Sequence, residues 1–227
     1  MRVVNRAGKS GREAARLLGK RLDDRFTLAH RVRLHGRKNV IDAVLVGPHG
    51  VTVLAIASDE GRVRCLGDSW YNWNPNTDKF VGTKHNPVKQ AQGDQKAIEL
   101  FLGGRQMGTL VPVDCAVLVP QSNAQVEFMQ PAVPTLDVTQ IKDMAETLVG
   151  QRELIDWTQA DDILKGLGVP PLGQSWRTLN QPGARKRGLS AVGFGGLKRK
   201  QLVLLAIIAV ADLLVLIGGL AVVLLAR

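Results

Sequence analysis

Aromatic side chains are scarce: four Trp, five Phe and one Tyr make up 4% of 227 residues. So few rings leave little material for stacking on single-stranded nucleic acid. Cysteine is scarcer still. Cys65 and Cys115 have no CxxC spacing, which excludes a disulfide framework and a cysteine zinc site. Both lie in apolar, strand-like settings that suit buried, reduced thiols. His30, His35, His49 and His85 show no metal-ligand spacing and read as surface or turn residues. Ser58 and Ser69 lack an adjacent base, and no P-loop glycine pattern occurs. The first twenty residues hold no apolar run of signal-peptide length, so no secretory leader is expected.

What the chain has in excess is positive charge, a formal net of +10. It is unevenly spread. Residues 1–38 carry twelve Lys or Arg against Glu13, Asp23 and Asp24. A second block, Arg185, Lys186, Arg187, Lys198, Arg199 and Lys200, lies near the C-terminus, and the region between is mildly acidic. Basic blocks seek phosphate, whether of nucleic acid or of lipid head groups.

Leu202–Ala226 is apolar apart from Asp212. As a helix rising ~1.5 Å per residue it is long enough for a hydrocarbon core of ~30 Å. KRK at 198–200 and RKR at 185–187 precede it, and only Arg227 follows. The positive-inside rule then leaves the N-terminal part in the cytoplasm, as a single-pass, tail-anchored protein of the cell membrane. Asp212 lies mid-span, where a charge costs ~2.5–3.5 kcal/mol on insertion scales. Gly219, a heptad away, permits close helix approach. This face is expected to meet a second copy or a membrane partner. The organisation read from the sequence is a soluble domain over 1–169, a basic, Pro/Gly/Ser-rich linker over 170–201 near anionic lipid, and a transmembrane helix over 202–226.

The soluble part opens on a helix over about 10–23. Ala14, Leu18 and Leu22, with Leu17 beside them, form its apolar face. Lys9, Arg12, Arg16 and Lys20 form the opposite, basic stripe, which reads as a solvated face or as a phosphate-binding one. Strands are predicted over 26–34, 40–46, 51–57 and 62–66, with the turn Gly47-Pro48-His49-Gly50 joining two of them. A loop holding Trp70, Tyr71 and Trp73 follows. Helices are predicted over 87–102, 139–149 and 159–168, and a central strand over 111–120. This is α/β layering around a mixed sheet.

Asp42 interrupts an otherwise apolar strand, VIDAVLVG. It either caps a backbone donor at a strand end or ligates a metal for phosphodiester cleavage, which needs carboxylates gathered at strand ends. Through the turn, antiparallel pairing brings the next strand, VTVLAIA, alongside. There Ala55 and Ala57 present only methyl groups near Asp42.

The run IDAVLVGPHGVTVLAIASDEGRV, with Gly11 and Glu13 before it and Trp70 and NPVKQ at 86–90 after it, resembles the nuclease-related domain of the restriction-endonuclease-like superfamily. The resemblance covers roughly the first half of the chain. It implies a mixed four-stranded core sheet flanked by helices. It also implies a catalytic pattern: a Glu on the first helix, an Asp, a Glu-x-Lys on the next strand and a Gln on a later helix. Glu13, Asp42 and Gln90 match. The Glu and Lys fall on Ala55 and Ala57, so the site resembles an emptied one. Asp59 is roughly 13 Å down the strand at ~3.3 Å per residue, too far to share a metal with Asp42. Lys84 or Lys89 remains open as a migrated amine.

Three functions are left open. The first is a membrane-anchored, catalytically degenerate domain that binds DNA or RNA and needs no cofactor. The second is a divergent nuclease using Asp42, Glu13 and migrated groups with magnesium or manganese, Asp42 being the metal ligand. The third is a membrane scaffold or partner-binding protein.

Overall fold

A computed structural model describes residues 1–105 and 111–169. The linker expected over 170–201 and the apolar helix over 202–226, with Asp212 and Gly219, lie outside the described residues. Among the described residues no helix is long and apolar enough to cross a membrane.

Ten strands and four helices follow one another along the described chain. They are β1 (Arg2–Val4), α1 (Lys9–Gly19), β2 (Thr27–Val32), β3 (Ile41–Gly47), β4 (Gly50–Ile56), β5 (Arg62–Leu66), β6 (Ser69–Asn74), β7 (Lys79–Gly82), α2 (Pro87–Gly103), β8 (Val113–Leu118), β9 (Gln125–Met129), β10 (Thr135–Leu136), α3 (Val138–Gly150) and α4 (Trp157–Gly166). Six strands form a mixed sheet in the order β1-β2-β3-β4-β8-β10. The β2–β3 and β3–β4 pairs are antiparallel and the remaining pairs parallel.

Alternation sorts the strand residues onto two faces. Ala43, Leu45 and Leu54 meet Leu17 and Leu18 of α1 and Ile141 and Ala145 of α3. Val44, Val46, Val51 and Val53 meet Ile98 and Leu102 of α2 and Ile163 and Leu164 of α4. The sheet is therefore sandwiched between helix pairs, as the α/β reading anticipated. It is wider than the four strands the resemblance implied, because the short strands β1 and β10 extend the two edges.

The turn at 47–50 is a hairpin with Gly47 opposite Gly50. Gly50 has φ +118°, and a Cβ there would lie 2.6 Å from the Pro112 carbonyl oxygen, so both conformation and space demand glycine. His49 is not a surface residue. It is buried, stacks on Phe26 with ring centroids 5.7 Å apart, and shares a hydrogen bond of 2.8 Å between Nε2 and Thr52 Oγ1. Burial pushes its pKa down to about 4. His30 on β2 is buried too, whereas His35 and His85 are exposed as expected.

The stretch expected as a loop, 68–87, is the largest departure. It folds into β6 and β7, which join β5 and β9 in a second sheet of order β7-β6-β5-β9. The alternation is hard to see because its outward residues are aromatic or polar and only Trp70 is fully inward. The inner side of this sheet supplies Val63, Cys65 and Trp70 to a third core cluster with Ala55, Ala57, Val88 and Ala91. Strand β9 also went unpredicted.

Candidate functional site

Asp42 sits one step beyond the Ala43–Leu54 pair, so its backbone comes opposite Ala55. Its Oδ2 accepts the backbone N–H of Ile56 at 3.0 Å. Two cavities meet at this residue. One, of about 570 Å3, is lined by Lys9, Ser10, His30, Arg31 and Glu60 among others. The other, of about 680 Å3, is lined by Arg37, Lys38, His85, Lys89, Gln90 and Asp94.

Helix α2 places Gln90 and Asp94. Asn86 caps it, its side chain accepting from the N–H groups of Val88 and Lys89, and Pro87 suits the first turn. Gln90 and Asp94 are four residues apart and share a face. Asp94 is buried, and its Oδ1 takes a 2.7 Å contact from Arg37 Nη2. Burial raises the Asp94 pKa above the ordinary aspartate value, and Asp42 adds to that rise. The Arg37 guanidinium and Gln90 oppose it. Among the described residues, Asp94 Oδ2 and Arg37 Nη1 have no hydrogen-bond partner. Neither residue was singled out from the sequence. The i, i+4 spacing from Gln90 was the available signal for Asp94; nothing local marked Arg37.

The structure thus brings Asp42 and Gln90 to one cavity but leaves Glu13 out of it. Glu13, on α1, is bound by Arg16, which holds its carboxyl below the usual range. It lines a separate hollow with Arg12 and Gln121. The basic stripe is on the exposed side of α1. Lys9 reaches Glu60 at 3.4 Å, Arg12 donates to the Ala7 carbonyl at 3.1 Å, and Lys20 is exposed.

Ala55 and Ala57 are 0% exposed, packed with Val88 and Ala91 of α2. Asp59, the next acid along, accepts from Trp70 Nε1 at 3.2 Å and Asn72 Nδ2 at 2.7 Å, which commits it to the second sheet. Lys89 does line the cavity beside Asp42, with its Nζ 3.5 Å from Asp68. Lys84 is exposed and lines neither cavity at Asp42.

The catalytic pattern implies a divalent ion, and these residues do not fit one. One Asp42 oxygen is taken by a backbone N–H, Asp94 is neutralised by Arg37, and Glu13 is held by Arg16. Among the described residues no group of three or more His, Cys, Asp or Glu could hold a metal. Asp42 behaves as the cap of a backbone donor.

A mixed sheet between helices, with an acidic strand residue opening onto two cavities, defines an α/β domain with its candidate site at Asp42. The model of the nuclease-related domain family matches residues 7–120, and the chain belongs to that family. No curated protein and no solved structure matches it.

Proposed function

We propose that this chain is a restriction-endonuclease-like domain that holds the phosphate backbone of nucleic acid around Asp42 without cleaving it. The observation that carries this reading is the complete burial of Ala55 and Ala57, where the family pattern requires Glu and Lys. Alanine can neither ligate an ion nor orient water. Around Asp42, Lys38 on one side and Arg31 on the other supply positive charge for phosphate, with Arg37, Lys89 and Lys9 sharing theirs with Asp94, Asp68 and Glu60.

The test uses the full chain with plasmid DNA and RNA, in magnesium or manganese and over a range of salt. Binding without cleavage is expected. Replacing Lys9, Arg12, Arg16 and Lys20 by Gln flattens the salt dependence by up to about 3.6 log units per log of salt if all four contact phosphate. An unchanged slope would make the stripe a solvated face only. Magnesium-dependent cleavage that disappears in Asp42→Ala would overturn the reading in favour of a nuclease with migrated groups.

The apolar run 202–226 and its basic flank support a tether that keeps this domain at the cytoplasmic face of a membrane. A reporter fused after Arg227 is then active only outside; activity in the cytoplasm would refute that orientation.

A further inference from the structure

The second sheet has one face in the core and, among the described residues, one face bare. Strand register assigns the bare face. Arg64 pairs with Tyr71, Trp73 with Phe80, and Arg64 with Glu127 on the other side. Cross-strand partners point the same way, so Arg62, Arg64, Tyr71, Trp73, Phe80 and Glu127 share one surface. All of them are exposed or half-exposed, and opposite them Val63, Cys65 and Trp70 are buried. A chain poor in rings has therefore placed three of them together on an uncovered sheet. The scarcity that argued against a stacking platform gives way to their concentration.

The charged groups here are arranged around the rings. The Arg62 guanidinium lies 4.6 Å from the Trp73 ring centre and 5.7 Å from that of Phe80. The Arg64 guanidinium lies 3.8 Å from the Phe80 ring centre. Trp73 and Phe80 meet edge to face, centroids 5.1 Å apart. Glu127 binds both arginines, Oε1 to Arg62 at 3.0 Å and Oε2 to Arg64 at 2.6 Å. Hydrogen bonds to a guanidinium run in its plane, so this carboxylate orders the two cations without occupying their flat faces. Two Arg against one Glu leave the cluster with a surplus positive charge. Tyr71 lies beside Gly82, which adds no side chain next to the ring.

Flat rings and guanidinium planes on an open sheet, with positive charge beside them, complement a base and its phosphate together. Only unpaired bases offer a free π-face, because those of a duplex are covered by their neighbours. We infer that the outer face of β5, β6 and β7 is a stacking surface for single-stranded nucleic acid, separate from the phosphate-binding cleft at Asp42. Bases stack on Trp73, Tyr71 and the Arg62 and Arg64 planes, and the surplus charge meets the backbone. The inference rests on the proposed nucleic-acid role but on different residues.

The test measures binding of the full chain to a labelled 20-nucleotide oligothymidylate, to a 20-base-pair duplex, and to vesicles of phosphatidylserine and phosphatidylcholine. Trp73→Ala with Phe80→Ala is expected to weaken oligothymidylate binding about tenfold or more and to leave duplex binding within about twofold. Trp73→Phe retains most of the affinity. Arg62→Lys with Arg64→Lys preserves charge but loses the planes, and weakens oligothymidylate binding several-fold. This pair keeps the test valid should the double alanine variant unfold. Unchanged oligothymidylate binding in the lysine pair and the alanine pair would overturn the inference, as would equal losses for duplex. Trp73-dependent binding to vesicles but not to the oligonucleotide would make the face a membrane contact instead. Duplex binding by the wild-type chain with no single-strand effect sinks this inference alone, whereas binding to neither nucleic acid sinks the proposed function as well.

Discussion

Ala55→Glu, which restores the acid of the family pattern, is expected to damage the fold rather than revive a site. Ala55 is fully buried among the apolar side chains of Ala57, Val88, Ala91 and Val117. A carboxylate placed there is charged without a partner or protonated without a hydrogen bond. Such changes belong to the small group that costs about 4 kcal/mol or more. In a domain of this size that lowers the melting temperature by roughly 10 °C. Adding Ala57→Lys deepens the loss, because position 57 is as buried as 55 and a lysine stem is far larger than a methyl group. The exposed Ser58→Glu is the control and shifts stability by no more than about 0.5 kcal/mol. Thermal melts of the three variants decide the matter. A parent-like melting temperature for Ala55→Glu would show that this face opens into the cleft, and the emptied site could then be refilled.

The second large effect concerns Arg37. Its side chain is 24% exposed and that of Asp94 3%, so the pair is mostly shielded. Removing one partner of such a pair costs about 3 kcal/mol, because the other charge is left buried. Arg37→Ala is therefore expected to lower the urea midpoint clearly at neutral pH. The pH dependence follows from the direction of the Asp94 shift. Burial already raises its folded pKa above the ordinary aspartate value, and Arg37 restrains that rise. Without Arg37 the folded pKa climbs further. Between the unfolded and folded values the native state binds the extra proton, so its stability falls as pH rises through that window and returns on acidification. The gap between wild type and Arg37→Ala should narrow as pH falls from 7 towards 4. Asp94→Asn in the Arg37→Ala background should remove most of that pH dependence. A gap that stays constant with pH would mean that Arg37 acts through packing of its stem and not through Asp94.

Much of this architecture was legible in local pattern. Ala14, Leu17, Leu18 and Leu22 marked α1 by helical spacing, and all four are buried. Pro87 marked the start of α2, and Gly47 and Gly50 marked the hairpin that brings β4 back along β3. The family was legible too, because its motifs lie at spacings set by these elements. The second sheet was not. Its strands are short, and β9 joins β5 across about sixty residues of chain, so no local period announces the pairing.

By itself the sequence determined the α/β layering, the nuclease-related family and the two alanines, Ala55 and Ala57, at the positions where the resemblance places Glu and Lys. These depend on residue type and short-range spacing, which a chain displays without folding. Only the tertiary structure decided where these charges are committed: Asp42 to the Ile56 N–H, Asp94 to Arg37 and Asp59 to Trp70. It alone decided that Ala55 and Ala57 are sealed beneath α2, and that Arg62 and Arg64 meet Trp73 and Phe80 on an open sheet face. The physical reason is the same in each case. Burial and ion pairing depend on neighbours brought together by sheet register and helix packing, and most of those neighbours are distant in the chain.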